Sequence, residues 1–286
     1  MRIFLEKPNI ADLATRFNCF DMHVHTKYSD TYTRPEKIVE NATDQNIHFA
    51  ITDHNEIRGI PETIKNNTDR IIVPGIEVGC NEGPHILFYF YDYPALREFF
   101  LKSIKPYRRD TPFMNTSRPA NDVLDDAEKF DCIAVAAHPH APPVLGVLRA
   151  IKKGYLKTGV LNRFDAVEVI CGAVTERMNL HAVKFAYEFN KGFTGGSDSH
   201  TLKQLGGVVT CSKADDVESL LKDVINHKTR VVGKGMKAKD RVFAHTKTVS
   251  KHLSYPSTVK LRAQSMISKP IKHRISKIKE RRQRTR

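Results

Sequence analysis

Two histidines two apart, His23 and His25, stand in "FDMHVHTKYSD", with Asp21 before them and Asp30 after. Residues two apart in an extended strand point the same way, so both imidazoles project from one face and suit a single metal ion. Asp21 shares that face one step back and is expected to orient one of the rings. "GGSDSH" repeats the arrangement with Asp198 and His200, after glycines that let the backbone run close to a crowded site. Four more candidates stand apart. His54 ends "AITDH", Glu77 lies in "GIEVG", His85 opens "HILFYF", and His138 lies in "AAHPH". With Asp30, these make six histidines and three acids at strand ends among small or apolar neighbours. Burying nine such groups together costs desolvation and like-charge repulsion unless cations offset it. Metal binding therefore outweighs coincidence. His48, His140, His181, His227, His245, His252 and His273 fit no such position and read as structural or solvated.

The elements that must position these residues alternate. Extended runs cover 19–26, 48–54, 70–80, 85–91, 132–140, 165–172, 192–200 and 206–211. Helical spacing of apolar residues covers 34–46, 119–130, 176–190 and 213–228. Strand–helix alternation predicts an α/β fold with a mainly parallel sheet, and so many units in one domain favour a barrel. Strand ends in such a barrel converge on one rim, where sites are built. Residues 106–118 read as a surface loop, and 141–164 as an insertion with room for a short helix.

Composition narrows the class. The chain has 286 residues, 40% hydrophobic and 27% charged, which suits one large soluble domain with a small appendage. No apolar run is long enough to span a bilayer, and the N-terminus lacks a secretory h-region. Five scattered cysteines without a CxxC pair read as reduced thiols, so a cytoplasmic setting is expected. The net charge of +14 is uneven: residues 234–286 hold 17 Lys/Arg against Asp240 and Glu280, leaving the body at −1. A basic tail on a neutral body points to a polyanion such as nucleic acid; a disordered or membrane-surface tail is the alternative. Ile271, Ile275 and Ile278 could line a basic amphipathic helix there. There is no GxSxG elbow, no GxxxxGK[ST] loop and no GxGxxG, so serine hydrolysis and P-loop or Rossmann nucleotide binding are not indicated.

Taken together, "DMHVHTKYSD", "AITDHN", "PGIEV", "HIL", "AHPH", "VEVICG" and "GGSDSH" resemble, in order, the motifs of the PHP (polymerase and histidinol phosphatase) family of metal-dependent phosphoesterases. The resemblance covers about residues 19–211. It implies a distorted seven-stranded α/β barrel with a trinuclear metal centre at its C-terminal rim. The implied organisation is a lead-in at 1–18, a catalytic domain with its PHP-associated segment at 19–233, and the basic tail at 234–286. By the same resemblance His23, His25, Glu77 and Asp198 hold one ion, and Glu77 bridges to a second held by His85 and His138. Asp30, His54 and His200 hold the third. Asp30, His200 and Arg177 are the catalytic candidates. Arg177, near the predicted rim, is the leading phosphate clamp, followed by Lys27 and Arg149.

Three divalent ions are therefore expected, with Zn, Mn or Fe suited to imidazole and carboxylate ligands. A metal-held hydroxide would attack phosphorus in line while the ions neutralise the oxygens. The resemblance implies nucleotide or oligonucleotide 5′ or 3′ phosphates as substrates, including nucleoside 3′,5′-bisphosphates and strand ends. Two alternatives stand beside this: a histidinol-phosphate-type phosphatase, and a nucleic-acid-binding protein whose metal centre is only structural.

Overall fold

The computed structural model describes residues 2–67 and 69–236; the expectations for 237–286, a helix and polyanion contact, lie outside the described residues. The chain begins β1 (Ile3–Phe4), α1 (Ile10–Leu13), β2 (Asn18–Val24), α2 (Pro35–Gln45), β3 (His48–Ile51), α3 (Gly59–Asn66) and β4 (Ile72–Gly79). It continues β5 (His85–Phe90), α4 (Tyr93–Phe99), α5 (Ala120–Ala127), β6 (Cys132–Ala136) and α6 (Val147–Lys152). It closes with β7 (Ala166–Cys171), α7 (Glu176–Glu188), β8 (Gly192–Gly196), β9 (Val208–Ser212), α8 (Val217–Ile225) and β10 (Arg230–Gly233). Local chemistry explains the boundaries. Pro35 opens α2 where its missing N–H does no harm, and Asn46 ends it in the left-handed conformation. Asp92 and Asp216 cap α4 and α8 by accepting from Ala95 N and Ser219 N.

The strands form one sheet in the order β1-β10-β9-β2-β3-β4-β5-β6-β7-β8. The run from β2 to β8 follows the chain, while β9, β10 and β1 continue from the other edge of β2. The seven-strand expectation thus matches the length of that run and not the whole sheet. The run curls back on itself: Val24 bridges Ser199 just beyond β8. His25 N donates to Ser199 O at 3.2 Å, and Ser199 N to His23 O at 3.2 Å.

Parallel pairing is less general than the alternation suggests. β4–β5, β5–β6, β2–β9 and β9–β10 are antiparallel. Residues 80–84 between β4 and β5 are too few for a crossover helix, so β5 must turn back beside β4. That reversal puts His85, the first residue of β5, at the rim where β4 ends with Glu77 nearby.

Beneath the rim lies an apolar floor of Val73, Leu87, Tyr89, Ile133, Val135 and Ala166, closed by Leu220, Leu221 and Val224 of α8. Strand alternation sets this layering. Val73 and Glu77, Leu87 and His85, and Ala166 and Glu168 share parity on β4, β5 and β7, so each strand gives one face an apolar base and a polar top. A second apolar cluster fills the space between the sheet and the surrounding helices, with Phe49, Ile76, Phe88, Phe99 and Val169.

Candidate metal centre

β2 delivers His23 and, one residue past its end, His25; both are fully buried. Asp198 and His200 follow β8 and reach the same place because Gly196 packs directly on β2. A Cβ at Gly196 would lie 2.4 Å from His23 Cβ, so only glycine permits the approach. Asp21 anchors this joint. Its carboxylate accepts from Ser197 N at 2.8 Å, Ser197 Oγ at 2.5 Å and Gly206 N at 2.9 Å. Asp21 therefore holds backbone and does not orient an imidazole, contrary to the expectation from its shared parity.

The ring-orienting acid is Glu168 on β7. Its Oε1 lies 2.9 Å from His23 Nδ1, and its Oε2 accepts from His138 N at 2.7 Å. One buried carboxylate thus fixes a side chain on β2 and the backbone after β6. Sequence reasoning missed it, although the acid inside the apolar "AVEVIC" was the available signal.

Glu77 is the hub. Its Oε2 lies 2.8 Å from His54 Nδ1, 3.3 Å from His23 Nε2 and 3.5 Å from His25 Nε2. Its Oε1 lies 2.8 Å from His85 Nδ1 and 3.0 Å from His138 Nε2. Asp198 Oδ1 sits 3.1 Å from His25 Nε2 and 3.7 Å from His23 Nε2. Asp30 Oδ2 sits 3.0 Å from His200 Nε2 and 3.6 Å from His54 Nε2. The structure therefore brings all nine candidate ligands into one cluster.

Their electrostatics follow from burial against mutual attraction. Burial pushes Glu77 up, yet His54, His85 and His23 outweigh it and hold the carboxyl well below the usual range. Asp30 and Asp198 are likewise depressed by imidazoles despite burial. Burial pulls His200 down, but Asp30 and Asp198 raise it to about 9. His23 and His54 are raised well above the ordinary value in the same way. His25 goes the other way: burial, with His54, His200 and His23 adding to it, lowers it to about 4 against its bond to Asp198.

The donor set fits divalent cations. His23 Nε2, His25 Nδ1, Glu77 Oε2 and His138 Nδ1 are buried and make no hydrogen bond. His23 Nε2 and Glu77 Oε2 both face into the cluster, where a cation would offset their desolvation. The backbone is strained at the same place. His138 has φ +26°, Asp198 φ +51° and Asn55 φ +46°. Such left-handed non-glycine residues persist when their surroundings over-determine them. Asn55 is held on several sides: its Oδ1 accepts from Gly79 N at 3.0 Å, and its Nδ2 donates to Pro112 O at 2.6 Å and Met114 O at 3.0 Å. The 106–118 loop is thus fastened to the rim, and Thr111, Phe113 and Thr116 within it are buried.

The clamp candidates lie elsewhere. Arg177 and Arg149 line a cavity of about 570 Å³ with Lys152, Thr175, His140 and His181. Among the described contacts neither arginine touches the nine clustered residues. Lys27 is bound to Glu62 at 2.7 Å, which explains its position without a ligand. His48 accepts from Ile71 N at 3.0 Å, in keeping with its structural reading.

The PHP domain model matches residues 21–191, and the PHP-associated model residues 176–234. An uncharacterized protein of Methanocaldococcus jannaschii is 30% identical over 137 residues, covering 43% of this chain and 68% of that one. The lesion-specific endonuclease Q of Pyrococcus furiosus superposes with a TM-score of 0.56 at 18% identity, covering 75% of this chain and 57% of that one. Endonuclease Q in complex with a 27-mer duplex substrate bearing an abasic lesion at its active site gives a TM-score of 0.59 at 18% identity, over 77% of this chain and 60% of that one. At these identities the two structural likenesses bear on fold alone.

Proposed function

We propose, on the premise that this chain belongs to the PHP domain family and is a metal-dependent hydrolase of phosphate esters, that it cleaves the phosphates of nucleotides or oligonucleotide ends. The observation that carries the site is Glu77, whose two oxygens face different histidine sets. Glu77 would help to hold two cations, one with His23, His25 and Asp198, the other with His85 and His138. Asp30, His54 and His200 would hold a third. Divalent ions of the Zn, Mn or Fe kind supply, when bound, charge neutralisation on phosphate and a water acidic enough to attack phosphorus. The residues of the chain do the remainder. Asp30 and His200 converge to 3.0 Å at the mouth, and the contact of His200 Nδ1 with Asp198 O at 2.9 Å turns Nε2 toward Asp30. Glu168 keeps His23 in one orientation, so Nε2 faces inward. The buried wall limits water to the open side.

Two observations support a nucleotide or nucleic-acid substrate. Met236 N donates to Gly172 O at 3.1 Å and Val174 O at 2.8 Å, so residue 236, early in the basic segment, lies beside the loop between β7 and α7. A polyanion drawn to the tail by phosphate contacts meets the rim at that loop. Endonuclease Q, similar in fold, binds a 27-mer duplex substrate with an abasic lesion at its active site. The setting proposed is cytoplasmic, in keeping with five free thiols. No helix among the described residues is long and apolar enough to cross a membrane.

The test is a substrate panel. The protein loaded with Mn²⁺ or Zn²⁺ is given p-nitrophenyl phosphate, bis-p-nitrophenyl phosphate, nucleoside mono- and bisphosphates, histidinol phosphate and 5′-labelled oligonucleotides. Turnover strongest on nucleotides or oligonucleotides is expected. Turnover confined to histidinol phosphate overturns the substrate class. No turnover with any metal, alongside tight oligonucleotide binding, overturns the enzyme in favour of a structural metal centre.

A further inference from the structure

About half of the basic side chains among the described residues pair with a carboxylate. Arg16, Lys37, Arg58, Arg70, Arg118 and Arg163, for example, each face a carboxylate within hydrogen-bond distance. The cavity beyond the end of β6 gathers three of those that do not. Arg149, Lys152 and Arg177 line it together, and none has a carboxylate partner among the described residues. Arg149 spends only its Nε, donating to His140 O at 3.0 Å. Thr175, at the start of α7, makes no capping bond with its hydroxyl. Three cations gathered around one concavity repel each other weakly through solvent and together favour an anion between them. A volume of about 570 Å³ falls in the range of small-molecule sites.

The cavity is built onto the metal centre. Its one wall follows His138 directly: Ala141 N bonds His138 O at 2.7 Å and Leu148 N bonds Pro139 O at 3.0 Å. Its other wall is α7, which Asn179 ties to Cys171 by paired bonds of 3.1 Å. Cys171 Sγ in turn lies 3.7 Å from Asp198 Oδ2. The two walls therefore move with His138 and Asp198.

We propose that this cavity is a second phosphate-binding site, in which Arg149, Lys152 and Arg177 hold a non-reacting phosphate of the substrate while another is cleaved at the cluster. The proposal rests on the phosphoesterase function and narrows its substrates to those with two phosphates, a nucleoside bisphosphate or an oligonucleotide end. Guanidinium groups suit the task because their planar fork matches phosphate oxygens in pairs. Arg177 is then a binding residue for the second phosphate and not a clamp on the reacting one.

The experiment has two arms on the full chain loaded with Zn²⁺. In the first, inorganic phosphate is titrated while the ring C–H signals of His181 and His140 are followed by NMR. Saturable shifts are expected, and the double variant R149Q/K152Q abolishes those of His181. In the second, kcat/KM is measured on a nucleoside bisphosphate and on the matching monophosphate. The bisphosphate-to-monophosphate ratio falls about tenfold or more in R149Q/K152Q, through KM, with R177Q behaving alike. Absence of saturable shifts overturns the site. Shifts with an unchanged ratio also overturn the proposal, because the cavity then takes free phosphate and not substrate. Should no ester turn over, the phosphoesterase function fails, and the titration still decides whether the cavity binds phosphate.

Discussion

The metal centre and the cationic cavity lie side by side and are built in opposite ways. In the cluster every charge has a partner within about the length of a hydrogen bond, and the carboxylates are buried among imidazoles. In the cavity three cations stand without carboxylates, on half-buried or exposed side chains. A resident cation calls for the first kind of site, since charge must be satisfied whenever the protein is folded. A ligand that comes and goes calls for the second, where solvent screens the empty state. Permanent and exchangeable charge are thus separated by a few residues after β6.

The strongest way to break the comparison is at its hub. Glu77→Gln keeps the volume and removes the charge; kcat/KM on any ester drops by at least about a thousandfold, because several kcal/mol of transition-state stabilisation go with the ions. Metal analysis and steady-state kinetics on the same preparation check this. Retained activity contradicts the role of Glu77.

Next come the two buried acids, which divide position from stability. Glu168→Gln weakens metal binding about 10–100-fold in chelator competition, since His23 loses its oriented tautomer. Asp21→Asn acts on the fold instead. It disturbs the acceptor of Ser197 and Gly206 and costs about 1–3 kcal/mol in equilibrium unfolding. Equal metal affinities in the two variants would show that Glu168 has no special place.

pH separates the two regions further. In metal-free protein His200, raised to about 9 by Asp30 and Asp198 against burial, binds its proton more tightly folded than unfolded. The stability it contributes is complete below the unfolded value near 6.5 and is lost as pH rises toward 9. His23 and His54 act with the same sign. Metal-free stability therefore declines between pH 7 and 9, while metal affinity strengthens over that range as ligands shed protons. Denaturant titrations with and without metal read both. A metal-free stability that rises from pH 7 to 9 contradicts the pairing.

The smallest effect is expected at Lys27, whose charge is already spent on Glu62 at a half-exposed site. Lys27→Met costs less than about 1 kcal/mol in unfolding. A large loss of phosphate-ester affinity in that variant would return Lys27 to the rank of clamp.

Much of this was legible in the chain. All eight extended runs became strands, because each combines β-branched or aromatic residues with a rim ligand or a turn at its end. The nine clustered residues were nameable because ligand chemistry marks them even when they are far apart in sequence. What escaped has physical reasons. β1 has two residues and β10 four, too short for a period to register. α3 and α4 span eight and seven residues, each with a proline in its first turns. The antiparallel course of β5 is set by loop length, not by its apolar content. Asp21 misled because a register irregularity between Asp21 and Val24 breaks the simple alternation on β2. Glu168 was passed over because an acid in an apolar strand ordinarily faces solvent, whereas β7 is covered on both faces.

The most direct measurement is metal stoichiometry by inductively coupled plasma mass spectrometry on dialysed full-length protein and on Glu77→Gln. More than one transition-metal ion per wild-type chain, with most of it lost from Glu77→Gln, is the predicted result. Substoichiometric metal in the wild type, or equal metal in both proteins, would contradict the central claim.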